Sequence, residues 1–404
     1  MKKVILDIFQ KLSETYPDKS FGLEFWDGEK KIYGPGGEQF RIIIRSESSI
    51  KKILSGGSLA FGEEYMEGNI EAAGDIQSML AMYKTWGSVA GRVSLGTAAK
   101  VLWHRFVTGF ARQSGKNIRY HYDLGNDFYS LWLDPTMTYS CAYFKNDTDS
   151  LEAAQKNKYD HICRKLRLRP GDTLVDIGCG WGGMMFYAAR NFGAKCTGYT
   201  LSQNQFDYVK KTAEKEGLAD SVRVVLGDYR KTSGVYDKFV SIGMFEHVGK
   251  RHYGKFFDTV KKMLKPGGTG VLHTIGSEFG TPTDPWVEKY IFPGGFIPAL
   301  SMIADPMTER SLLFYDIEDL RPHYGKTLDW WLTNFKDNAA AVEKTVTGRL
   351  RDQKGTARFM RMWQLYLDAS SVSFKTGGNR LYQITFSNGI DTALPLTRDY
   401  IYNF

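Results

Sequence analysis

Residues Asp176-Ile177-Gly178-Cys179-Gly180-Trp181-Gly182-Gly183 set one acid and four glycines within eight positions. They follow the apolar run Thr173-Leu174-Val175-Asp176-Ile177 and open a segment of helical pattern over 182–192. Glycines in such a turn let a ligand approach the backbone closely, and the helix beyond offers its first N–H groups to an anion. The letters satisfy G-x-G-x-x-G, so a dinucleotide is the first ligand to weigh. A nicotinamide site wants an acid near the end of the next strand for the ribose hydroxyls. Here Gly198-Tyr199-Thr200 stands there, with no acid nearby. The acid instead precedes the glycines, as Asp176. That order suits S-adenosylmethionine, which carries a carboxylate and an ammonium but no phosphate. Two more groups stand at strand ends, Glu246 in Phe245-Glu246-His247-Val248 and His273 after Gly270-Val271-Leu272. Open α/β sheets place their sites at carboxyl ends. Taken alone, the Glu could equally cap a helix or pair with a cation, and the His could be a packed core residue.

The elements that must carry these groups alternate regularly from residue 158. Strands are predicted at 173–177, 195–199, 222–226, 238–242 and 270–273, and helices at 182–192, 203–216 and 253–264. This rhythm predicts an α/β fold with a parallel, doubly wound sheet. Residues 277–310 break it with Pro and aromatic residues and read as an insertion. Its Phe292-Pro293-Gly294-Gly295-Phe296-Ile297-Pro298-Ala299-Leu300 suits a lid, an acyl-chain entrance or a packed surface loop. Upstream, residues 1–83 read as a small α+β domain. Phe21–Trp26 and Phe40–Arg45 are β-rich, and Gly34-Pro35-Gly36-Gly37 between them predicts a hairpin or meander. Helices are expected over 48–54 and 76–86.

At 404 residues the chain is too long for one core, and 42% hydrophobic with 24% charged residues excludes a disordered chain. No apolar run approaches the ~20 residues that span a bilayer, and Asp7 interrupts the N-terminal run too early for a signal peptide. Cys141, Cys163, Cys179 and Cys196 are spaced for neither a disulfide framework nor a zinc site. A cytoplasmic protein able to meet a membrane surface is expected. The net charge of +8 is uneven: residues 1–75 carry 10 bases and 13 acids, and no Asp or Glu occurs from Ile76 to Tyr122. Lys84, Arg92, Lys100, Arg105, Arg112, Lys116 and Arg119 lie in that stretch, interleaved with Val101, Leu102, Trp103, Phe106, Val107 and Phe110. The connector 84–119 therefore reads as a basic amphipathic helix, either a solvated or docked linker or a contact for a polyanion, nucleic acid or anionic lipid.

Five segments in order resemble cyclopropane-fatty-acyl-phospholipid synthases, S-adenosylmethionine-dependent enzymes related to the mycolic acid methyltransferases. They are Tyr139-Ser140-Cys141-Ala142-Tyr143-Phe144, Asp176 to Gly183, Thr200-Leu201-Ser202-Gln203-Asn204-Gln205, Gly243-Met244-Phe245-Glu246-His247-Val248-Gly249 and Leu272-His273-Thr274-Ile275-Gly276. The resemblance implies a class I methyltransferase domain over 120–404, a Rossmann-like sheet with one antiparallel strand near an edge and a C-terminal helical segment. It also implies a cofactor site at Tyr139, Ser140, Gly178, Gly180, Thr200, Leu201, Gln205, Asp228 and Tyr229, with Asp176, Cys179 and Ser202 of the same loops. A bicarbonate ion is implied as a second cofactor, held by Cys141, Glu246, His273, Tyr324 and the amide of Ile275. The implied partners are a membrane phospholipid, anionic or zwitterionic, with cis-unsaturated acyl chains, and a second copy in a homodimer.

A sulfonium methyl is an electrophile, and a cis double bond that accepts it becomes a carbocation. Ring closure then requires a proton to leave the added methyl group. Such chemistry wants a dry apolar slot, aromatic faces near the cation and a base that does not add to it. Tyr139, Tyr143, Trp181, Phe245 and Tyr290 could supply the faces or simply pack a core. The family often carries a further cysteine where this chain has Ser370, so a thiol at that position is absent. Methyl transfer without ring closure is the nearest rival. A nucleic-acid methyltransferase is disfavoured, because no Asn-Pro-Pro-Tyr-like loop and no cysteine after a proline is present, and nucleic acid is not an expected partner.

Overall fold

The structure is a computed structural model that describes residues 2–82, 124–232, 234–350 and 352–402. The basic connector 84–119 lies outside the described residues. Contacts divide the chain into two units, and the division differs from the expected 1–83 and 120–404: Asp284–Pro293 and Phe335–Gly377 join the N-terminal residues.

In the first unit, helix α1 (Lys2–Thr15) buries Ile5, Ile8, Phe9 and Leu12, one stripe at helical spacing. The stripe packs on Phe21, Leu23, Phe40, Ile42 and Ile44 of β1 (Phe21–Glu24) and β3 (Phe40–Ile44). The expected hairpin or meander is corrected: these two strands are neighbours in the sheet and pair parallel. A turn at Phe25–Glu29, with Gly28 at φ +83°, first reverses the chain into β2 (Lys30–Tyr33) along the other side of β1. Sequence reading missed β2 because its Lys30, Lys31 and Ile32 are exposed on a sheet edge, where charge is favoured over apolar alternation. The sheet is completed by β4 (Ile70–Gly74). Helix α2 (Glu47–Met66), capped by Ser46 and kinked at Gly57, runs well past the predicted 48–54.

The regrouping of the two distant segments has a local cause on α2. Trp286 lies so close to Gly62 that a Cβ there would sit 2.2 Å from the indole. Arg361 donates to the carbonyls of Tyr65 (2.6 Å) and Ile70 (3.1 Å), and Arg358 pairs with Glu67 at 2.7 Å.

The second unit holds a seven-stranded sheet of β5 (Thr173–Ile177), β6 (Lys195–Thr200), β7 (Val222–Leu226), β8 (Tyr236–Ile242), β9 (Leu264–Ser277), β12 (Leu312–Asp319) and β13 (Asn379–Asn388). Its order is β12-β13-β9-β8-β5-β6-β7. Strands β5 to β9 pair parallel, and β13 is antiparallel to both neighbours, so the antiparallel strand stands second from an edge as expected. Alternation along β5 feeds two cores. Leu174 joins Met185, Ala188 and Val209 on one face, while Val175 and Ile177 join Phe256, Val260 and Met307 on the other. Both faces are covered, which explains why Leu174, Val175 and Ile177 are apolar on both sides of the strand. Within the expected insertion, β10 (Thr281–Pro282) pairs with β11 (Phe296–Ile297).

Candidate active site

Every parallel strand from β5 to β8 ends at one cavity of about 270 Å³. The loops after β5, β6, β7 and β8 supply its walls, together with Tyr139 and Ser140 ahead of helix α4 (Leu151–Lys165; α3 is the short Asn126–Tyr129). All twelve residues expected around the cofactor line it: Tyr139, Ser140, Asp176, Gly178, Cys179, Gly180, Thr200, Leu201, Ser202, Gln205, Asp228 and Tyr229.

Each wall follows from local chemistry. Gly178, Gly180 and Gly182 take φ of +80°, +55° and +83°, and the N–H groups of Gly178 and Cys179 both donate to the Tyr199 carbonyl. The turn then enters α5 (Gly183–Phe192). After β6, Ser202 caps α6 (Gln203–Lys215) by accepting from the Gln205 N–H, and Thr200 Oγ1 donates to Gln205 Oε1 at 2.6 Å. After β7, Arg230 binds the Asp228 carboxylate through Nε at 2.8 and 2.9 Å and holds its pKa below the ordinary carboxylate value. An ionised acceptor therefore stands at that wall. Asp176 is buried with Oδ1 unpartnered among the described residues, and burial raises its pKa to about 7 against the pull of Lys158. That oxygen is an acceptor for a ligand ammonium, so the donor and acceptor set fits the amino-acid end of S-adenosylmethionine. Gly178→Ala is expected to lower stability by about 1–3 kcal/mol and to weaken binding of S-adenosylhomocysteine, measured by calorimetry. A side chain there meets both a positive φ and a contact of 2.7 Å with Met244.

The residues expected to hold bicarbonate do not line this cavity. Glu246 follows β8 in a short 3-10 turn (Phe245–His247), and its Oε1 accepts from the Ile275 N–H at 2.6 Å. His273 and Ile275 lie two apart on β9, hence on one face. Gln383 of β13, opposite His273 in register, donates Nε2–H to His273 Nδ1 at 3.2 Å, which leaves the ring proton on Nε2. Glu246 Oε2 and His273 Nε2 are both buried without a partner among the described residues. Burial raises the Glu246 pKa and lowers that of His273 well below the ordinary value. Cys141 and Tyr324 gather instead around the Leu320 carbonyl, at the head of α10 (Arg321–Asp337; α7 is Tyr253–Met263, α8 Pro285–Tyr290, α9 Leu300–Thr308). Cys141 Sγ lies 4.0 Å from Leu320 O, and the Tyr324 N–H donates to it at 3.2 Å. Leu320 is bonded in turn to Leu381, the register partner of Ile275. Burial raises the Cys141 thiol pKa, so the thiol is neutral at ordinary pH.

The aromatic candidates separate. Tyr139 and Trp181 line the cavity. Phe245 is fully buried and stacks on Tyr253 at 4.3 Å, and Tyr143 lies stacked between His161 and His323 at 4.3 and 4.7 Å. Tyr290 belongs to the first unit, where it donates to Glu63 and lies under Arg358. Ser370 also belongs to the first unit, on α12 (Gln353–Lys375; α11 is Ala339–Leu350). Sequence reading missed Lys158, which lines the cavity and is completely buried. One signal was available: Ala154, Lys158 and Ile162 share an i, i+4, i+8 stripe, so the lysine sits on the apolar face of its helix.

A family model described as mycolic acid cyclopropane synthetase matches residues 111–384, and a second, described as a domain of unknown function, matches 8–91. A Pseudomonas putida protein named "Probable fatty acid methyltransferase" is 35% identical over 94% of this chain and 95% of its own length. The Escherichia coli cyclopropane-fatty-acyl-phospholipid synthase is 36% identical over 88% of this chain and 90% of its own. A solved mycolic acid cyclopropane synthase complexed with SAH and CTAB superposes with a TM-score of 0.62 at 32% identity, covering 69% of this chain and 99% of the other.

Proposed function

The chain belongs to the mycolic acid cyclopropane synthetase family, and on that premise we propose that it forms cyclopropane rings on the cis-unsaturated acyl chains of membrane phospholipids. S-adenosylmethionine supplies the carbon: its methyl group forms a C–C bond to the alkene as the C–S bond breaks, and loss of a proton from that carbon closes the ring. The observation that carries this reading is the convergence of all twelve cofactor residues on one cavity. Asp176 would take the ammonium of the amino-acid end, and the glycine turn admits the ligand to the backbone.

Removal of the proton is the step the protein must guard, since water or a free carboxylate could add to the cation. Glu246 and His273 keep buried polar atoms with no partner among the described residues, which suits a small oxyanion between donors. A bicarbonate there would be held by Glu246, His273, Cys141, Tyr324 and the Ile275 amide, and would supply a proton acceptor. The amide now donates to Glu246 Oε1, so an oxyanion would share or replace that bond. Lys and Arg of the 84–119 connector would draw the enzyme to anionic headgroups at about 1 kcal/mol each.

Incubation with S-adenosylmethionine and vesicles of cis-unsaturated phospholipid is expected to yield upfield cyclopropane proton signals as olefin signals disappear. Removing carbonate should slow the reaction, and adding bicarbonate should restore it. Olefin loss without ring signals would point to methyl transfer alone. No lipid product with any vesicle composition would overturn the reading.

A further inference from the structure

Lys158 is a rare kind of lysine, completely buried yet opening onto the cofactor cavity. Burial of an ammonium is costly unless something compensates it. Its Nζ donates to Ser140 Oγ at 2.9 Å and lies 4.5 Å from the Tyr159 ring centroid. Burial pushes its pKa down to about 7 against the attraction of Asp134 and Asp176, and no carboxylate is bonded to it among the described residues, so an anion bound in the cavity would favour its charged form. In that charged form, the one a bound anion favours, the lysine has donors only. Ser140 Oγ must therefore accept from it, and the serine's own O–H is left to donate to a third group. Ser140 also lines the cavity, so that third group belongs to the ligand. A cation behind a hydroxyl donor favours an anion in front of it. The cofactor has one anionic group, the carboxylate of its amino-acid end.

We infer that Lys158 is a positioning residue that fixes Ser140 as a hydroxyl donor to the carboxylate of the cofactor's amino-acid end and repels the ammonium from that place. The inference rests on the reading that the cavity takes S-adenosylmethionine. It assigns the two charged groups to different side chains of the cavity, carboxylate to Ser140 and Lys158, ammonium to Asp176. The orientation of the amino-acid end is then set by charge before any lipid arrives.

The test compares two ligands that share adenosine and thioether sulfur, S-adenosylhomocysteine and 5′-methylthioadenosine, of which only the first has the amino-acid end. Lys158→Met is expected to weaken S-adenosylhomocysteine by about tenfold or more while changing 5′-methylthioadenosine less than about twofold. Ser140→Ala should do the same, and the double variant should lose no more than either single one, because the two act in series. Equal weakening of both ligands by Lys158→Met would mark a merely structural lysine and overturn the inference. So would unchanged S-adenosylhomocysteine binding. A further measurement needs only the unaltered protein: decarboxylated S-adenosylhomocysteine, which keeps the ammonium, should bind no better than 5′-methylthioadenosine. If it binds as well as S-adenosylhomocysteine, no carboxylate site exists and the inference fails, even where Lys158→Met does not fold. If neither parent ligand binds, the cofactor reading itself falls.

Discussion

Glu246→Gln is expected to lower turnover by roughly 10²–10⁴-fold while leaving the affinity for S-adenosylhomocysteine within about twofold. Glutamine matches the shape of the side chain, and its carbonyl can still accept from the Ile275 N–H that Glu246 Oε1 accepts now. What it cannot do is change protonation state. Its NH₂ group would occupy the position of Oε2, the buried atom with no partner among the described residues. Glu246 stands outside the cofactor cavity, so ligand binding there should be spared. The measurement is turnover on unsaturated vesicles beside calorimetric binding. A variant within threefold of the parent rate would remove Glu246 from the chemistry. Parallel loss of binding and turnover would mark it as a folding residue instead.

Lys165→Met is expected to destabilise the second unit by about 3–5 kcal/mol, the largest effect on stability foreseen for one side chain. Lys165 is completely buried on α4, and its Nζ meets Glu318 Oε2 at 2.6 Å and Asp316 Oδ1 at 3.1 Å on β12. His161 Nε2 shares Glu318 Oε2 at 2.7 Å, and Arg398 binds Asp316 at 2.7 Å. Removing the central cation leaves two poorly hydrated carboxylates facing each other. Burial by itself would raise the Glu318 pKa, but His161 and Lys165 outweigh it and hold the group down to about 2, from an ordinary 4.5. A depressed carboxyl stabilises the fold at pH above the unfolded value. That contribution, on the order of 3 kcal/mol, should be lost as pH falls from 4.5 toward 2. Urea midpoints followed across pH should show this acid limb in the parent and a flatter one in Glu318→Gln. A cost for Lys165→Met near 1 kcal/mol or less would mean that water reaches the cluster.

Much of the molecule was written in local sequence. The glycine turn at 178–183, the capped helix at Ser202 and the strands β5 to β8 depend on neighbours within a few residues, so their spacing sufficed. The lining of the cavity followed, because parallel strands deliver their following loops to one end of the sheet whatever the rest of the chain does. Three things were decided only in three dimensions. Strand β2 has no alternation of its own and exists because β1 offers an open edge. Residues 284–293 and 335–377 left the expected domain because Trp286, Arg358 and Arg361 found partners on α2, far away in sequence. Lys158 looked like any lysine until the packing of α4 sealed it from water and set its ammonium against Ser140. Composition and motif fixed which chemistry this chain carries. The tertiary structure decided which charges are buried, and burial is what makes a charge costly, directional and therefore selective.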